Sequence, residues 1–562
     1  MTSLQEIARK YVLKNAFEYG TANVGAVVGK VIAEFPDAKN DMKTTMTCIS
    51  NTIIEVSKLS KNQILNEMNR YEYIKKEEKQ KTIELPNAKK GMVITRFPPE
   101  PSGYPHIGHA KAAFLDYEIA KQYDGQMILR FDDTNPEKES QEYVDAIKDG
   151  LSWLGIKWSI ETYTSDNIQK IYEAAEKLII IDKAYVCICS QEKLSAKRTH
   201  AKPCTCRSNS TVDNNARWKK MLSGKLKAVL LYKDDLNSNN TVMRDPALAR
   251  VITKKHYRQK SKYIVWPSYD LEVVIMDHYE GITHPMRSKE YELRDALYYS
   301  LFDSLKWEKP TMIPFSRLSI KNAPISKRLL TPLVKEKKVC GWDDPRLPTL
   351  AGLKRRGILP EAIKNFVLSF GLSRVESEPT LEALLAENRK LIDPVAKRFF
   401  FVKNPVPMSV NNLEKQQIVV RTHPKQDLGN RKIDVDGNIY ISESDATELK
   451  KNEELRLKDL CNIRIIKLSD GKMADAIRTD DKTVEKKIQW VPKKSIKCEI
   501  LIPKDLLKDD GTFDQNSLEK AIGLCEPACA NIREGEIIQF ERFGFCRLDK
   551  KSAGRLTFIY TC

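Results

Sequence analysis

The sequence predicts a multidomain chain of class α/β plus all-β, with a helical segment in front. A chain of 562 residues is too long for one hydrophobic core and should form about three to five domains. From Gly91 a strand–helix–strand pattern begins, which is typical of parallel strands in a doubly wound sheet. Beyond residue 400 short apolar runs alternate with polar turns, and this pattern predicts β-barrels.

Residues 1–88 form the predicted helical N-terminal appendage. Their apolar residues recur at helical spacing, beginning with Leu4, Ile7, Ala8 and Tyr11. A charged stretch at 75–81 and the helix-breaking residues 85–87 then indicate a linker.

The most informative segment is Pro-Glu-Pro-Ser-Gly-Tyr-Pro-His-Ile-Gly-His at 99–109. It follows a predicted strand at 92–96 and opens a predicted helix that runs to Lys121. Pro105 suits the first helical position, and the free N–H groups of the first turn then face an anion. His106 and His109 are three residues apart and leave the same face, while Gly108 lets a flat base approach the backbone. This pattern predicts a triphosphate-binding turn, although a purely structural turn is the alternative.

The doubly wound domain should continue with a strand at 126–131 and helices at 140–154 and 165–181. A strand at 228–232 lies within a predicted insertion, and we expect the sheet to resume at 263–266. Helical segments are predicted over 346–392.

Four cysteines in the insertion have the spacing of a metal site. Cys187 and Cys189 form one pair, Cys204 and Cys206 the other, with 14 residues between the pairs. Paired thiolates suit a tetrahedral structural zinc, and His200 could replace one sulfur. Four thiolates leave no open position for water, which argues against a catalytic zinc. We interpret the remaining cysteines as ordinary thiols.

A basic loop at 324–328, Pro-Ile-Ser-Lys-Arg, follows a predicted strand at 316–320 that contains Leu318. A mobile lysine there could neutralise phosphate charge during an in-line displacement. A solvated basic loop is the alternative. The chain contains no Gly-x-x-x-x-Gly-Lys-Ser/Thr motif, which disfavours a P-loop NTPase.

The composition favours a polyanionic partner. The net charge is +18, from 94 Lys+Arg against 76 Asp+Glu, and nucleic acid is the first candidate. The N-terminal residues lack the apolar block of a signal peptide, and no apolar run approaches the roughly 20 residues of a membrane span. We therefore expect a cytoplasmic protein with no membrane contact, and we expect a monomer.

These motifs together resemble those of class I aminoacyl-tRNA synthetases, and specifically glutamyl-tRNA synthetases of the archaeal and eukaryotic type. The resemblance is carried, in this order, by residues 98–109, Arg-Phe-Asp-Asp-Thr-Asn-Pro at 130–136, the 324–328 loop, and Gly-Trp-Asp-Asp-Pro-Arg at 341–346. The tail motif Glu-Arg-Phe-Gly-Phe at 541–545 also resembles that family. Pro324 and Ile325 replace the Lys-Met of the class's Lys-Met-Ser-Lys-Ser loop, so only Ser326 and Lys327 carry over.

The resemblance implies a Rossmann-type catalytic domain in two halves, at 89–181 and 256–335. It also implies an acceptor-end-binding insertion with a zinc knob at 182–255, a helical domain at 336–396 and an anticodon-binding β-barrel region at 397–562.

The reaction that the resemblance implies joins glutamate to tRNA(Glu) at the expense of ATP with Mg²⁺; whether tRNA(Gln) is also charged is left open. His106, His109 and Lys327 are the implied catalytic residues. The implied ATP-binding residues also include Pro98, Gly108, Leu318 and Ser326, and the implied glutamate-binding residues are Arg96, Asp132, Tyr269 and Arg287.

Arg287 is the informative position, because an arginine attracts an acidic side chain, whereas the related glutaminyl enzymes carry an uncharged residue there. An internal salt bridge to Glu290 or Glu292 is the alternative for this arginine. Lys354, Arg355 and Arg356 could touch phosphate or form a solvated helix face. Three other functions stay open: a glutaminyl-tRNA synthetase, a catalytically idle tRNA-binding protein and a small-molecule nucleotidyltransferase.

Overall fold

A computed structural model describes residues 3–19, 21–68, 70–71, 83–325, 327–469, 473–479 and 483–562. The chain divides into two compact units, Met1–Thr82 and Ile83–Cys562. Within the described part of the chain, no helix combines the length and apolar composition needed to cross a membrane.

The first unit is helical, as the apolar spacing predicts. Its helices are α1 (Leu4–Tyr19), α2 (Val24–Glu34), α3 (Met42–Val56) and α4 (Lys61–Met68). Ile7, Val12, Val31 and Ile49 lie in its buried core. The charged stretch at 75–81 lies outside the described residues.

The second unit begins at Ile83, so it includes residues 85–87, which are predicted to belong to a linker. The backbone of Ile83 bonds to the side chain of Gln122, and Leu85 packs in a buried cluster with Val93 and Leu115. Residues 83–87 therefore pack into the second unit instead of forming a free linker.

A parallel sheet with helical crossovers forms the centre of the second unit. Its elements are β1 (Ile94–Phe97), α5 (Ile107–Gln122), β2 (Gln126–Phe131), α6 (Gln141–Trp153), β3 (Ile160–Tyr163) and α7 (Ile168–Ile180). β1 pairs in parallel with β2, and β2 with β3. The predicted β-α-β unit is confirmed, although the first strand begins at Ile94 instead of Met92.

The insertion is an antiparallel sheet carrying two helices. Its elements are β4 (Ala184–Cys187), α8 (Gln191–Thr199), α9 (Thr211–Leu222), β5 (Val229–Tyr232), β6 (Ala247–Val251) and β7 (Val265–Pro267). β7 pairs antiparallel with β6. The prediction that the parallel sheet resumes at 263–266 is therefore wrong, because this strand completes the insertion's own sheet.

A second, two-stranded parallel sheet follows, in a segment that comprises α10 (Tyr269–Tyr279), β8 (Met286–Ser288), α11 (Glu292–Leu305), β9 (Ile313–Phe315) and α12 (Lys327–Lys335). The N–H of Thr283 donates to the carbonyl of Ile94 at 3.0 Å, so the segment that leads into β8 lies beside β1. β8 and β9 are parallel. The predicted strand at 316–320 is wrong, because only isolated bridges occur at Leu318 and Ile320.

Three helices follow: α13 (Leu350–Arg356), α14 (Pro360–Leu368) and α15 (Leu381–Ile392). The basic residues of α13 are predicted to touch phosphate or to form a solvated helix face, and only Lys354 is free to do either from the protein surface. Arg355 makes two bonds to Asp549, at 3.0 and 2.8 Å, and Arg356 is buried with its Nε pointing at the carbonyl of Thr561. Lys354 alone is exposed. The helix is thus attached to the end of the chain.

The remainder is β-rich, as predicted, with two seven-stranded sheets and a hairpin. The first part comprises β10 (Arg398–Phe399), β11 (Phe401–Lys403), β12 (Pro405–Asn411), β13 (Gln416–Arg421), β14 (Asn430–Val435), β15 (Asn438–Ser442), α16 (Glu443–Glu448), β16 (Glu454–Leu457), β17 (Asn462–Ser469) and β18 (Met473–Thr479). The second part comprises β19 (Lys487–Ile488), β20 (Val491–Pro492), β21 (Ile496–Pro503), β22 (Leu518–Cys525), β23 (Ile537–Phe540), β24 (Gly544–Ser552) and β25 (Arg555–Tyr560). The β-rich region has two hydrophobic cores, and successive side chains at its start point into them alternately. Phe399 and Phe401 lie in one core, and Phe400 and Val402 lie in the other.

Candidate active site

The predicted nucleotide turn connects β1 to α5. Helix α5 begins at Ile107 with His106 as its N-cap, so Pro105 precedes the cap and is not the first helical residue. The His106 Nδ1 accepts the N–H of Gly108 at 3.1 Å, and the His109 Nδ1 accepts the N–H of His106 at 3.1 Å. This reciprocal capping fixes both imidazoles on the first turn of the helix.

Hydrogen bonding and burial determine the protonation of the two rings. Burial lowers the pKa of His109 to about 4, with a smaller contribution from Arg317. Burial, followed by His109 and Arg317, lowers the pKa of His106 well below its usual value. Because each Nδ1 accepts a backbone N–H, each neutral ring carries its proton on Nε2. The turn therefore presents two neutral N–H donors.

Glycine is required at position 108 by its neighbours. A Cβ added there would lie 2.9 Å from Cε1 of His106 and 3.5 Å from Cγ2 of Ile325. A side chain would therefore displace the His106 ring. The same distances place the start of the 324–328 loop beside the turn.

The segment that precedes α13 packs against the histidine turn and forms hydrogen bonds with its backbone. The N–H of Ile107 donates to the carbonyl of Pro348, and that of Leu350 donates to the carbonyl of Pro105. The ring of Trp342 stacks on that of Tyr104, with centroids 5.0 Å apart and planes 14° apart. The motif at 341–346 thus packs directly against the histidine turn.

The loop residues are described only in part. Ser326 lies outside the described residues, and Lys327 is the first residue of α12. Leu318 is buried in the core that also holds Ile107 and Phe114. The ATP-binding roles of these residues stay predictions.

A cavity of about 620 Å³ lies between the parallel sheet and the insertion. Pro98, Asp132 and Tyr269 line it, whereas His106, His109, Arg96 and Arg287 are not among its lining residues. One oxygen of Asp132 accepts from Arg130 and Thr164, at 2.8 and 3.0 Å. Its buried Oδ2 has no partner among the described residues, so it can accept a hydrogen bond from a ligand's ammonium group.

Arg287 lies on β8, close to this cavity through Tyr269. It is 5% exposed, and its guanidinium carbon lies 5.5 Å from the ring centroid of Tyr269 and 4.9 Å from that of Tyr298. Its Nη1 donates to Asp295 at 3.0 Å. The internal salt bridge predicted as an alternative thus forms, but with Asp295 instead of Glu290 or Glu292.

Two nitrogens of this guanidinium remain available. The buried Nε and Nη2 of Arg287 have no hydrogen-bond partner in the part of the chain that the structure describes. Buried polar groups in proteins are nearly always paired, and an unpaired one in a native site needs an explanation. A carboxylate of a ligand would satisfy both donors at once.

Arg96 is held inside the protein by Asp277. Its Nε lies 3.1 Å from Asp277 Oδ1, and its Nη1 donates to the carbonyl of Met286 at 2.8 Å. Asp277 also accepts from Arg130 at 2.8 Å and from Tyr298 at 2.8 Å. One buried network therefore links Arg96, through Arg130, to Asp132, and it orients the cavity wall.

Sequence reasoning missed Asp277 and Lys111. Asp277 is the single acid in the apolar run 273–277 of α10, and that contrast was the available signal. Lys111 is 1% exposed and donates to the carbonyl and the hydroxyl of Ser316, at 2.6 and 3.2 Å. Its place on the buried face of α5 was the signal. It ties the histidine helix to the segment before the 324–328 loop.

The four predicted metal ligands come together. The sulfur atoms of Cys187, Cys189, Cys204 and Cys206 all lie within 4.8 Å of one another, and Cys187 lies 3.6 Å from Cys204. A tetrahedral zinc with Zn–S bonds of about 2.3 Å needs sulfurs about 3.8 Å apart, so the donor set fits a structural zinc. His200 is exposed and lies outside this group.

The insertion supplies a basic wall to the same cavity. Arg198, on the helix between the two cysteine pairs, lines it together with Arg244 and Arg250. Asp245 is bonded to Tyr185 and Arg207, and its carbonyl accepts from Arg198. The hydroxyl of Tyr185 also lies 3.8 Å from the sulfur of Cys204. The cysteine cluster is thus connected to the cationic cavity wall.

Comparisons with known proteins agree with this architecture. A family model described as tRNA synthetases class I (E and Q), catalytic domain, matches residues 92–394. Two models described as anti-codon binding domains of the same class match residues 396–480 and 487–549. The fold is thus that of a class I tRNA synthetase. The chain belongs to the E and Q family of that class.

Several curated relatives match over nearly the whole chain. A glutamate–tRNA ligase of Nitrosopumilus maritimus is 43% identical over 560 residues, covering 98% of both chains. That of Cenarchaeum symbiosum is 39% identical, covering 98% of this chain and 99% of the relative. That of Pyrococcus furiosus is 38% identical, covering 99% of each.

Proposed function

We propose that the chain is a glutamate–tRNA ligase that charges tRNA(Glu) in two ATP-dependent steps. The observation that carries this assignment is the pair of unpartnered nitrogens on buried Arg287. A glutamate side chain supplies the negative charge and the two acceptor oxygens that this guanidinium lacks. The names of the relatives, all glutamate–tRNA ligases, support the same substrate.

In the first step, a carboxylate oxygen of glutamate attacks the α-phosphorus of ATP, and the bond to pyrophosphate breaks. The α-carboxylate, with a pKa below about 4, is already ionised at neutral pH, so no protein base is needed. The protein's task is to position the reactants and to stabilise charge. Mg²⁺ enters with the triphosphate as part of the substrate.

The residues divide this task between nucleotide and amino acid. The Nε2–H groups of His106 and His109 donate to ATP phosphate oxygens, and Lys327 adds a positive charge that neutralises the phosphates. Asp132 accepts the α-ammonium through its free oxygen, beside Tyr269. Arg96 fixes the orientation of the network behind Asp132.

In the second step the glutamyl group passes to the terminal ribose of the tRNA and AMP leaves. The arginines of the insertion are suited to the phosphates of the acceptor end, and the cysteine cluster with zinc would hold their helix in place. Stacking and edge recognition of single-stranded anticodon bases would fall to the β-rich region. We expect the enzyme to act as a monomer.

Amino-acid-dependent exchange of pyrophosphate into ATP tests the proposal. Measured with and without tRNA(Glu), the exchange should require glutamate and be supported weakly or not at all by glutamine. Exchange supported by glutamine alone would instead identify a glutaminyl enzyme. No exchange under any condition would indicate a tRNA-binding protein without catalysis. Charging of purified tRNA(Glu) and tRNA(Gln) in parallel then defines the nucleic-acid substrate.

A further inference from the structure

A second cavity, of about 450 Å³, lies where three parts of the large unit meet. Lys321 and Asn322 line it from the segment that leads to the 324–328 loop. The start of α15 and the segment 503–505 of the β-rich region form its other walls. No step of the proposed reaction uses this cavity.

The N-terminus of α15 opens into this cavity. Thr380 is the N-cap, with extended backbone, and its side chain makes no capping hydrogen bond. Thr380, Leu381 and Glu382 are all lining residues. The first N–H groups of a helix have no partner within the helix and carry partial positive charge, so they favour an anion. α15 has 12 residues, which is long enough for this effect.

Arg356 provides an independent indication of an anion. It lines the cavity and is only 3% exposed. Its Nε points at the carbonyl of Thr561 at 3.4 Å, and within the described ranges no carboxylate lies at ion-pair distance from it. Its neighbour Arg355, in contrast, is paired with Asp549 and Asp343. Burial lowers the pKa of Arg356 to about 10 and outweighs the raising effect of nearby Cys562, Tyr560, Glu382 and Asp505.

Of the residues described, the acidic ones that line the cavity, Glu382 and Asp505, do not form an ion pair with Arg356. Glu382 is bonded to Arg389 at 3.3 Å, and Asp505 is exposed at the rim. Lys321 is exposed and adds a second cation. Leaving a buried charge without a partner is destabilising, and an oxyanion between Arg356, Lys321 and the α15 N-terminus would compensate it.

We propose that this cavity binds a phosphate group. Arg356 offers a planar pair of donors, the α15 N-terminus offers backbone N–H groups and the Thr380 hydroxyl, and Lys321 closes the site. A phosphate bound there contacts the approach to the 324–328 loop, the helical segment and the β-rich region together. It therefore restrains the loop relative to the region that the family uses for anticodon binding.

Inorganic phosphate is the first probe, titrated calorimetrically into the full-length protein at constant ionic strength. Lys321→Ala and Thr380→Val should each weaken one bound phosphate by about tenfold, the effect of losing one hydrogen bond or charge contact. Lys390→Ala is the matched control, because Lys390 lies on the same helix but is paired with Glu387. It should leave the titration unchanged.

The rise in unfolding temperature that phosphate causes is measured separately for each variant, so a variant that is less stable by itself does not distort the comparison. Phosphate should raise the unfolding temperature of the wild type and of Lys390→Ala more than that of Arg356→Met. Equal phosphate binding and equal protection in the wild type, Lys321→Ala and Arg356→Met would overturn the proposal.

The salt dependence of tRNA binding identifies the source of the phosphate. If the ligand is a tRNA backbone phosphate, Lys321→Ala makes the negative slope of log K against log[salt] less steep by about 0.7–0.9. If the ligand is a free phosphate, the variant loses phosphate binding while the tRNA slope stays that of the wild type. Both outcomes support the site, and neither depends on which amino acid the enzyme activates.

Discussion

Arg287→Ala should raise the glutamate concentration needed for half-maximal exchange by about 10² to 10³, and change the ATP requirement by less than about threefold. The magnitude follows from two buried donors, Nε and Nη2, that lack partners in the free protein. A hydrogen bond to a charged group contributes about 1.5–3 kcal/mol. Two such bonds, at the low end because water can enter the vacated space, give about 3–4 kcal/mol.

Asp295, which remains in the Arg287→Ala variant, adds to the loss of glutamate affinity. Its side chain is 27% exposed, so it is partly solvated, but once Arg287 is gone its negative charge repels the glutamate side chain. Arg287→Lys should give an intermediate defect, because an ammonium restores the charge but not the two-pronged geometry.

The assay is steady-state pyrophosphate exchange with tRNA(Glu) present, in which glutamate and ATP are varied separately. Lys390→Ala serves as a control, since Lys390 is an exposed cation that lies outside the β-rich region and is paired with Glu387. A similar rise in both substrate requirements for Arg287→Ala would refute the placement of this guanidinium beside the glutamate side chain.

Three further outcomes test the pH behaviour, the metal cluster and the C-terminal attachment. Burial lowers the pKa of Lys111 from 10.5 to about 8, so between these values the folded chain has lost a proton that the unfolded chain keeps, and the lysine's contribution to stability rises with pH. Unfolding free energies of wild type and Lys111→Met, measured from pH 7 to 10, should therefore diverge in favour of the wild type; parallel curves would contradict the low pKa. Cys204→Ser should lower the metal content of the purified protein from one zinc per chain, as measured by elemental analysis, and chelation should weaken tRNA binding more than ATP binding; full zinc content in the variant would remove Cys204 from the site. A double-mutant cycle of Arg355→Ala and Asp549→Ala should show an unfolding interaction energy of about 1 kcal/mol, whereas additive effects would mean that this pair does not hold α13 to β24.

The sequence predicts local structure well where one element determines it. The β-α-β unit, the four-cysteine cluster and the N-terminal helices depend on spacing within short segments, and these predictions agree with the structure. The strand at 263–266 shows the limit. Its apolar residues predict a strand correctly, but pairing with β6 instead of β1 depends on how the insertion folds back.

The contacts of the site residues are also hard to predict from the sequence, because many of their partners lie far away in the chain. A basic run such as Lys354-Arg355-Arg356 looks like a surface patch, yet Asp549 and Thr561 bind two of its members from the far end of the chain. Arg287 is similar, since Asp295 became its partner because β8 and α11 place the two side chains together. The free nitrogens that define its chemistry are visible only once every other contact is known.

Because α13 is bound to the C-terminal strands, those strands help to hold the histidine turn in place. The segment before α13 holds Pro105 and Ile107 by backbone hydrogen bonds, and the end of α13 is bound to β24 and to Thr561. Phe545 and Cys562 even share the hydrophobic core that contains Ile107. Truncation at residue 394 would therefore remove the contacts that hold α13 and, through it, the histidine turn. We expect such a fragment to lose activity although it keeps every side chain proposed to be catalytic.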